Sequence, residues 1–277
     1  MTVSDWGDWL PRAVADADPD GLAAWYLGCN GFVVKAGDGT TVFVDPYVGI
    51  GDPPRTIRMI PVPFDPDDVE AADAVLATHE HTDHVHGPSQ APILESTGAD
   101  FYAPDAGLDV ARDEEDWQAD YDVDDDQFHE VAEGDTFDLG ELTVHVVETH
   151  DPDAVHPVGY VFEHDAGTLF HAGDSKPSDS FSALGERFDI DAGILAFGTV
   201  GNIPDKQTRE PKRTRWYNDE NQIIEAASDL RLDRLVPTHW DMWKGLTSDP
   251  TVLHHHAKSF EHPADLDLVE IGDRIDL

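Results

Sequence analysis

The chain has 277 residues, 40% of them hydrophobic, which is enough for one large α/β domain or two small ones. Its 58 acidic and 17 basic residues give a formal net charge of −41, which disfavours nucleic acid and anionic membranes as partners. A single cysteine excludes an internal disulfide and a cysteine-based zinc finger, and no apolar stretch approaches the roughly 20 residues that span a bilayer.

The first half of the chain predicts several short strands. Apolar runs at residues 25–27, 32–34 and 41–44 are separated by glycines and predict hairpin-linked strands. A buried strand is expected at 74–77, after a connection rich in Pro and Asp. Residues 88–135 predict loops and short helices, with one strand near 100–103.

The second half repeats this order of strands followed by helices. Strands are expected at 142–147, 158–163, 168–171, 194–197, 235–237 and 266–269. Apolar spacing predicts a helix over 218–230, with Asn218 as its N-cap, and a late helix over 250–260. Two mixed β-sheets packed face to face with helices outside, an α/β αββα sandwich, accommodate this order in one domain over residues 1–277.

Four metal-binding side chains follow the strand predicted at 74–77, in the pattern His-x-His-x-Asp-His. They are His79, His81, Asp83 and His84. Imidazole and carboxylate groups suit zinc and its first-row neighbours, and one site cannot easily use all four groups. The pattern therefore predicts two metal ions that share one loop, with a water between them.

Further candidate ligands lie at the ends of later predicted strands. Asp174 follows a strand in a Gly-Asp pair and is placed to bridge two metals, and His239 ends another strand. Either His150 or His156 can complete the first ligand set, and His150 is favoured because it lies nearer its strand. Asp45 ends the strand at 41–44 and is expected to hydrogen-bond a ligating imidazole.

One basic segment, residues 206–215, interrupts the acidic sequence. Its Lys206, Arg209 and Arg213 can hold a phosphate through charge-assisted hydrogen bonds. An ordinary solvated loop explains the same residues, and both interpretations stay open at this point.

The acidic composition also suggests an environment. Molar salt shortens the Debye length to about 3 Å and screens self-repulsion, while the aromatic residues argue against disorder. We therefore expect a folded protein of a halophilic, archaeal cytoplasm. The N-terminal residues lack the pattern of a secretory signal, and formation of a homo-oligomer is left open.

Motif order and spacing resemble the metallo-β-lactamase fold superfamily. Five segments, at residues 6–10, 24–31, 75–84, 169–175 and 236–243, resemble more narrowly the L-ascorbate-6-phosphate lactonases. The resemblance implies an αββα sandwich with zinc or manganese ions at one edge of the sheets. It implies that His79, His81 and His150 bind one metal, that Asp83, His84 and His239 bind the other, and that Asp174 bridges them.

The resemblance implies a metal-dependent hydrolase that opens a lactone, including a phosphorylated sugar lactone, by attack of a metal-bound hydroxide. Asp83 is then expected to orient the water and accept its proton. The substrate is expected to be a small anionic molecule. Two alternatives compete, a phosphodiesterase or nuclease of the same superfamily and a metal-binding protein without catalytic activity.

Overall fold

The computed structural model describes residues 4–205 and 207–277. The strands are β1 (Leu22–Gly28), β2 (Gly31–Ala36), β3 (Thr41–Val44), β4 (Ala74–Leu76), β5 (Asp100–Ala103), β6 (Phe128–Glu130), β7 (Thr136–Leu139), β8 (Leu142–Glu148), β9 (Val158–His164), β10 (Gly167–His171), β11 (Ala192–Ala196), β12 (Val200–Pro204), β13 (Pro211–Arg215), β14 (Arg234–Thr238), β15 (Asp265–Leu266) and β16 (Arg274–Asp276). The α-helices are α1 (Trp9–Ala15), α2 (Gly87–Thr97), α3 (Asp105–Asp109), α4 (Trp117–Asp120), α5 (Phe181–Arg187), α6 (Glu220–Asp229) and α7 (Leu253–Ala257).

Two seven-stranded sheets form the centre of the molecule. The first has the order β16-β1-β2-β3-β4-β5-β6, and the second has the order β15-β14-β11-β10-β9-β8-β7. Both are mixed, because antiparallel hairpins such as β1–β2 and β8–β9 continue into the parallel pairs β3–β4 and β10–β11. Strands β12 and β13 form a separate antiparallel hairpin.

Alternation of side chains along β1 shows how the sheets are packed. Leu22, Ala24 and Tyr26 belong to the core between the two sheets, whereas Ala23 and Trp25 belong to the core under α1 and α2. Successive side chains of a strand point to opposite faces, so a strand buried on both sides is apolar throughout. A third core lies between the second sheet and the helices α5, α6 and α7. The predicted αββα sandwich is thus confirmed.

The prediction that Asn218 is the N-cap of the helix over 218–230 was wrong. Helix α6 begins at Glu220, and the carboxylate of Asp219 accepts hydrogen bonds from the backbone of Asn221 and Gln222. Asn218 is buried, and its Nδ2 donates to the carbonyls of Ser175 and Ala196. Asn218 therefore ties the start of the helix to the second sheet, and the next residue caps it.

Other predicted bounds changed as well. The late helix predicted over 250–260 is a 3₁₀ turn at Pro250–Val252 followed by the short α7. In place of a strand at 266–269, the chain forms β15 and β16. Within the basic segment, residues 211–215 form β13, the second strand of the β12–β13 hairpin. Within the described residues, no helix is both long and apolar enough to cross a membrane.

Candidate metal centre

The candidate site lies where several strands of the two sheets end. Residues 78–84 follow β4, residues 149–151 follow β8, and residues 172–175 follow β10. His239 comes directly after β14, and the turn between β1 and β2 adds Cys29 and Asn30. Neighbouring parallel strands end at the same edge of a sheet, which is where ligand sites of such folds gather. The fold therefore brings side chains from distant segments into one small volume.

The first group of ligand atoms joins the predicted motif to the segment after β8. His79, His81, Asp151 and Asp174 each offer an atom within 4.8 Å of the others. Nε2 of His79 lies 3.0 Å from Nδ1 of His81 and 3.7 Å from Oδ2 of Asp151. Two imidazoles and two carboxylates therefore face one point.

The second group lies on the other side of Asp174. Nε2 of His84 is 3.3 Å from Oδ2 of Asp174, and Nε2 of His239 is 3.8 Å from Oδ1 of the same carboxylate. Asp83 approaches from the motif loop, with its Oδ2 3.2 Å from Nε2 of His239. Asp174 is thus the carboxylate shared by both groups, in the position that the sequence predicted for a bridge.

A side-chain hydrogen bond and the backbone at Gly173 hold Asp174 in this shared position. Nδ2 of Asn30 donates to Oδ1 of Asp174 at 3.3 Å, and Oδ1 of Asn30 accepts from Thr238. Gly173 has a φ of +58°, and a Cβ there would lie 2.8 Å from Oγ1 of Thr78. Only glycine combines that conformation with so close an approach to the motif loop.

The structure does not bring His150 into either group. His150 is exposed, and its backbone pairs with Lys176 while its amide donates to Ser175. The next residue, Asp151, occupies the place predicted for His150, because side chains of adjacent residues in extended backbone point in opposite directions. The alternative His156 is also exposed, and its Nδ1 bonds with Asp105.

Asp45 supports the motif loop from β3. Its carboxylate accepts from the backbone and the hydroxyl of Thr78 and lies 2.8 Å from Nδ1 of His84. Asp45 is fully buried. The arrangement fixes the His84 ring so that its Nε2 points at Asp174, which is the orientation that a supporting carboxylate gives a ligating imidazole.

The electrostatics of the cluster favour ionised carboxylates. Burial would raise the pKa of Asp174, but the adjacent His84 and His239 hold it well below its usual range. Burial would also raise the pKa of Asp83, but the hydrogen bond with His239 and the charge of His84 lower it. Burial, reinforced by His84, lowers the pKa of His79 to about 3. At His84 burial alone would lower the pKa, but the carboxylates of Asp174 and Asp45 raise it well above its usual value. Metal binding needs neutral imidazoles and ionised carboxylates, so an ion bound by His84 would displace the proton from its Nε2.

A buried polar atom without a hydrogen-bond partner tests whether these residues fit a metal ion. Nε2 of His84 is buried and has no hydrogen-bond partner, although an unpartnered buried polar atom costs about 1–3 kcal/mol. A cation between His84, Asp174 and His239 would accept its lone pair. The donor set of imidazoles and carboxylates also suits first-row divalent ions. The residues therefore fit a pair of metal ions.

Three residues of the site were missed by the sequence prediction. Asp151 lies beside His150, which was preferred as the ligand, and Cys29 lies in the segment 24–31, for which the resemblance implied no ligand. The hydroxyl of Tyr217 lies 2.8 Å from Nε2 of His239, and the two rings stack with centroids 4.1 Å apart. Only the Asp-Pro pair at 151–152, after a strand end, gave a signal in the sequence.

A basic cavity adjoins the first ligand group. Its volume is about 560 Å³, and Arg55, Arg213 and Trp216 line it together with Asp153. The carbonyl of Asp153 lies 3.3 Å from Nε2 of His81, so the cavity and the candidate centre share this loop. Of the predicted anion-binding residues, Arg213 lines the cavity, Arg209 does not, and Lys206 lies outside the described residues.

Residues 40–240 match the beta-lactamase superfamily domain. The chain therefore belongs to the metallo-β-lactamase superfamily, a superfamily of metal-dependent hydrolases, as the His-x-His-x-Asp-His motif suggested.

Individual relatives are more distant. The chain is 26% identical to the "Probable L-ascorbate-6-phosphate lactonase UlaG" of Salmonella gallinarum over 295 residues, covering 90% of this chain and 78% of that protein. It resembles the structure of Igni18, a metallo hydrolase from the archaeon Ignicoccus hospitalis, with 21% identity, a TM-score of 0.66 and coverage of 92% and 97%. CmlA, a diiron β-hydroxylase from Streptomyces venezuelae, has 17% identity, a TM-score of 0.66 and coverage of 94% and 55%.

Proposed function

We propose that the protein is a hydrolase with two metal ions that opens the ring of a small anionic lactone. The observation that carries the proposal is the sharing of Asp174 by two groups of ligand atoms beside a basic cavity. His79, His81 and Asp151 would hold one ion, Asp83, His84 and His239 the other, and Asp174 both. When bound, the ions would lower the pKa of a water and polarise a carbonyl oxygen.

The chain's own residues would then carry the remaining steps. Asp83 is ionised and lies at the edge of the second group, where it would orient the water and accept its proton. Asp45 would keep His84 in one orientation. Tyr217 stays protonated, because burial raises its pKa well above the usual value, and its hydroxyl would donate to a developing oxyanion.

The basic cavity supports an anionic substrate. Lys212, Arg213 and Arg215 line it from the β12–β13 hairpin, and Arg55 packs 5.6 Å from the centre of the Trp216 ring. Guanidinium groups bind a phosphate or carboxylate through charge-assisted hydrogen bonds. A sugar lactone with a phosphate or carboxylate is the size that such a cavity accepts. The net charge of −41 disfavours nucleic acid as a substrate.

Zinc and manganese are the expected ions. Asp151 replaces an imidazole by a harder oxygen ligand in the first group, and carboxylate ligands suit manganese. The 26% identity with the Salmonella protein, described as a lactonase, also supports the choice of lactones as substrates.

The test combines metal analysis with a panel of substrates in molar KCl. We expect two metal ions per chain and hydrolysis of phosphorylated or carboxylated lactones, with activity abolished in Asp174→Asn. Turnover of bis-p-nitrophenyl phosphate or RNA without lactone opening would favour a phosphodiesterase. If the metal-loaded protein hydrolyses no lactone, ester or phosphodiester, the remaining interpretation is a metal-binding protein without catalytic activity.

A further inference from the structure

Cys29, the one cysteine of the chain, lies inside the candidate metal centre. It belongs to the turn between β1 and β2 and is completely buried. Its Sγ lies 3.4 Å from Nε2 of His239 and 3.8 Å from Oδ2 of Asp83. The three residues form a group of ligand atoms that shares His239 with the group of His84 and Asp174.

The spacing of these three atoms is that of neighbouring ligands around one five-coordinate metal ion, since Asp83, His84, His239 and Asp174 would supply the four ligands besides Cys29. Bonds of about 2.1 Å to nitrogen or oxygen and 2.3 Å to sulfur, at angles of about 90–120°, place neighbouring ligand atoms about 3.0–3.8 Å apart. The observed separations are 3.4 Å for Cys29–His239, 3.8 Å for Cys29–Asp83 and 3.2 Å for His239–Asp83. One cation can therefore contact all three without a large movement of any side chain.

The backbone fixes Cys29 against His239 independently of the thiol. The carbonyl of Cys29 accepts from the amide of His239 at 3.0 Å and from the hydroxyl of Tyr26 at 3.0 Å. Cys29 and His239 both have positive φ, +59° and +65°, a conformation that non-glycine residues adopt at a cost. Nε2 of His84, in the adjoining group of ligand atoms, is buried and has no hydrogen-bond partner. This atom is separate evidence that a metal ion binds on this side of Asp174.

We propose that Cys29 is a ligand of the second metal, with its thiolate bound to the ion held by Asp83 and His239. The inference rests on the proposed metal centre and adds a soft sulfur ligand to it. The two metal sites would then differ in chemistry. Asp151 gives the first site a hard oxygen ligand, and Cys29 gives the second site a soft sulfur ligand. Thiolate favours zinc over manganese, so the second site would select zinc.

Cobalt(II) substitution tests the proposal directly. Cobalt-loaded protein should show an intense near-ultraviolet sulfur-to-cobalt charge-transfer band in addition to the weaker visible bands of the metal. Since the chain has a single cysteine, Cys29→Ser should abolish the near-ultraviolet band and keep the visible ones. Met242→Leu is the matched control, because Met242 packs in the same buried cluster as Cys29 and its loss should leave the band unchanged.

X-ray absorption of the zinc-loaded wild type adds a measurement that needs no variant. A sulfur scatterer at about 2.3 Å from zinc is expected. In competition with a chromogenic chelator, Cys29→Ser should bind one of its two zinc ions at least about tenfold more weakly, the size of effect that even groups outside the ligand shell produce.

The outcomes separate this proposal from the proposed function. Visible cobalt bands without a charge-transfer band, or zinc surrounded by nitrogen and oxygen alone, would overturn the role of Cys29 and leave the metal centre standing. Failure of the protein to bind cobalt or zinc at all would overturn both.

Discussion

Asp45 and His84 form a buried carboxylate–imidazole pair, with Oδ2 and Nδ1 2.8 Å apart and neither side chain exposed to solvent. The pair joins the end of β3 to the motif loop after β4. Its geometry leaves Nε2 of His84 directed at Asp174. The pair therefore links the stability of the first sheet to the orientation of a candidate ligand.

Replacing Asp45 should destabilise the protein in a pH-dependent way. Burial opposes ionisation of Asp45, but the charge and hydrogen bond of His84 lower its pKa. The stabilisation is therefore fully present above the carboxyl pKa of the unfolded chain, about 3.9, and is lost as the pH falls through the lower folded-state value. We expect Asp45→Asn to lower the free energy of unfolding by about 3 kcal/mol at pH 7.

Urea unfolding of both proteins at constant KCl concentration measures this effect. The difference between wild type and Asp45→Asn should narrow below about pH 4. An equal difference at acidic and neutral pH would show that lost packing, and not the ionised pair, accounts for the change.

The adjacent residues His150 and Asp151 provide a matched pair of variants. Asp151 faces His79 and His81, whereas His150 is exposed. We expect Asp151→Ala to weaken binding of one metal by more than about tenfold, and His150→Ala to retain both metals. Metal content after dialysis, measured by mass spectrometry, decides between them. Loss of metal from the His150 variant alone would restore the ligand set that the resemblance implied.

The basic hairpin offers a second matched pair. Arg213 lines the cavity beside the candidate centre, and Arg209 lies in the same hairpin without lining it. A charge-assisted hydrogen bond contributes about 1.5 kcal/mol, so Arg213→Gln should raise KM for anionic lactones roughly tenfold. Arg209→Gln should leave KM unchanged. An equal effect of Arg213→Gln on neutral lactones would argue against recognition of an anion.

Tyr217 is expected to act in the chemical step. Its buried hydroxyl lies beside Nε2 of His239 and stays protonated at neutral pH. Removal of a proton donor from an active site commonly costs about a hundredfold in rate. We therefore expect Tyr217→Phe to lower kcat by roughly that factor while metal content and KM hold steady. Loss of metal, with unchanged kcat per metal-loaded molecule, would instead assign Tyr217 to the positioning of His239.

Salt should stabilise the protein strongly. The charge of −41 repels itself over a Debye length of about 10 Å at 0.1 M salt and only about 3 Å at 1 M. The midpoint of thermal unfolding should therefore rise steeply between these concentrations of KCl, and much less in sucrose of equal osmolarity. A midpoint that is insensitive to KCl would remove the argument for adaptation to molar salt.

The sequence alone was sufficient for the fold and for half of the candidate centre. Apolar runs bounded by glycines predicted most strands, because burial and turn chemistry act over a few residues. The His-x-His-x-Asp-His motif is equally local, since four ligands lie within six residues. The gathering of Asp174 and His239 with the motif followed from their positions at strand ends.

The tertiary structure decided what depends on direction and on distant contacts. Successive side chains after β8 point in opposite directions, so either His150 or Asp151 faces the centre. The sequence pattern does not reveal which of the two it is. Cys29 and Tyr217 reach His239 from segments in which no ligand was predicted, and only the packing of both sheets brings them together. The physical reason is that a ligand group is a set of distances across the fold, whereas a sequence pattern reports only neighbours along the chain.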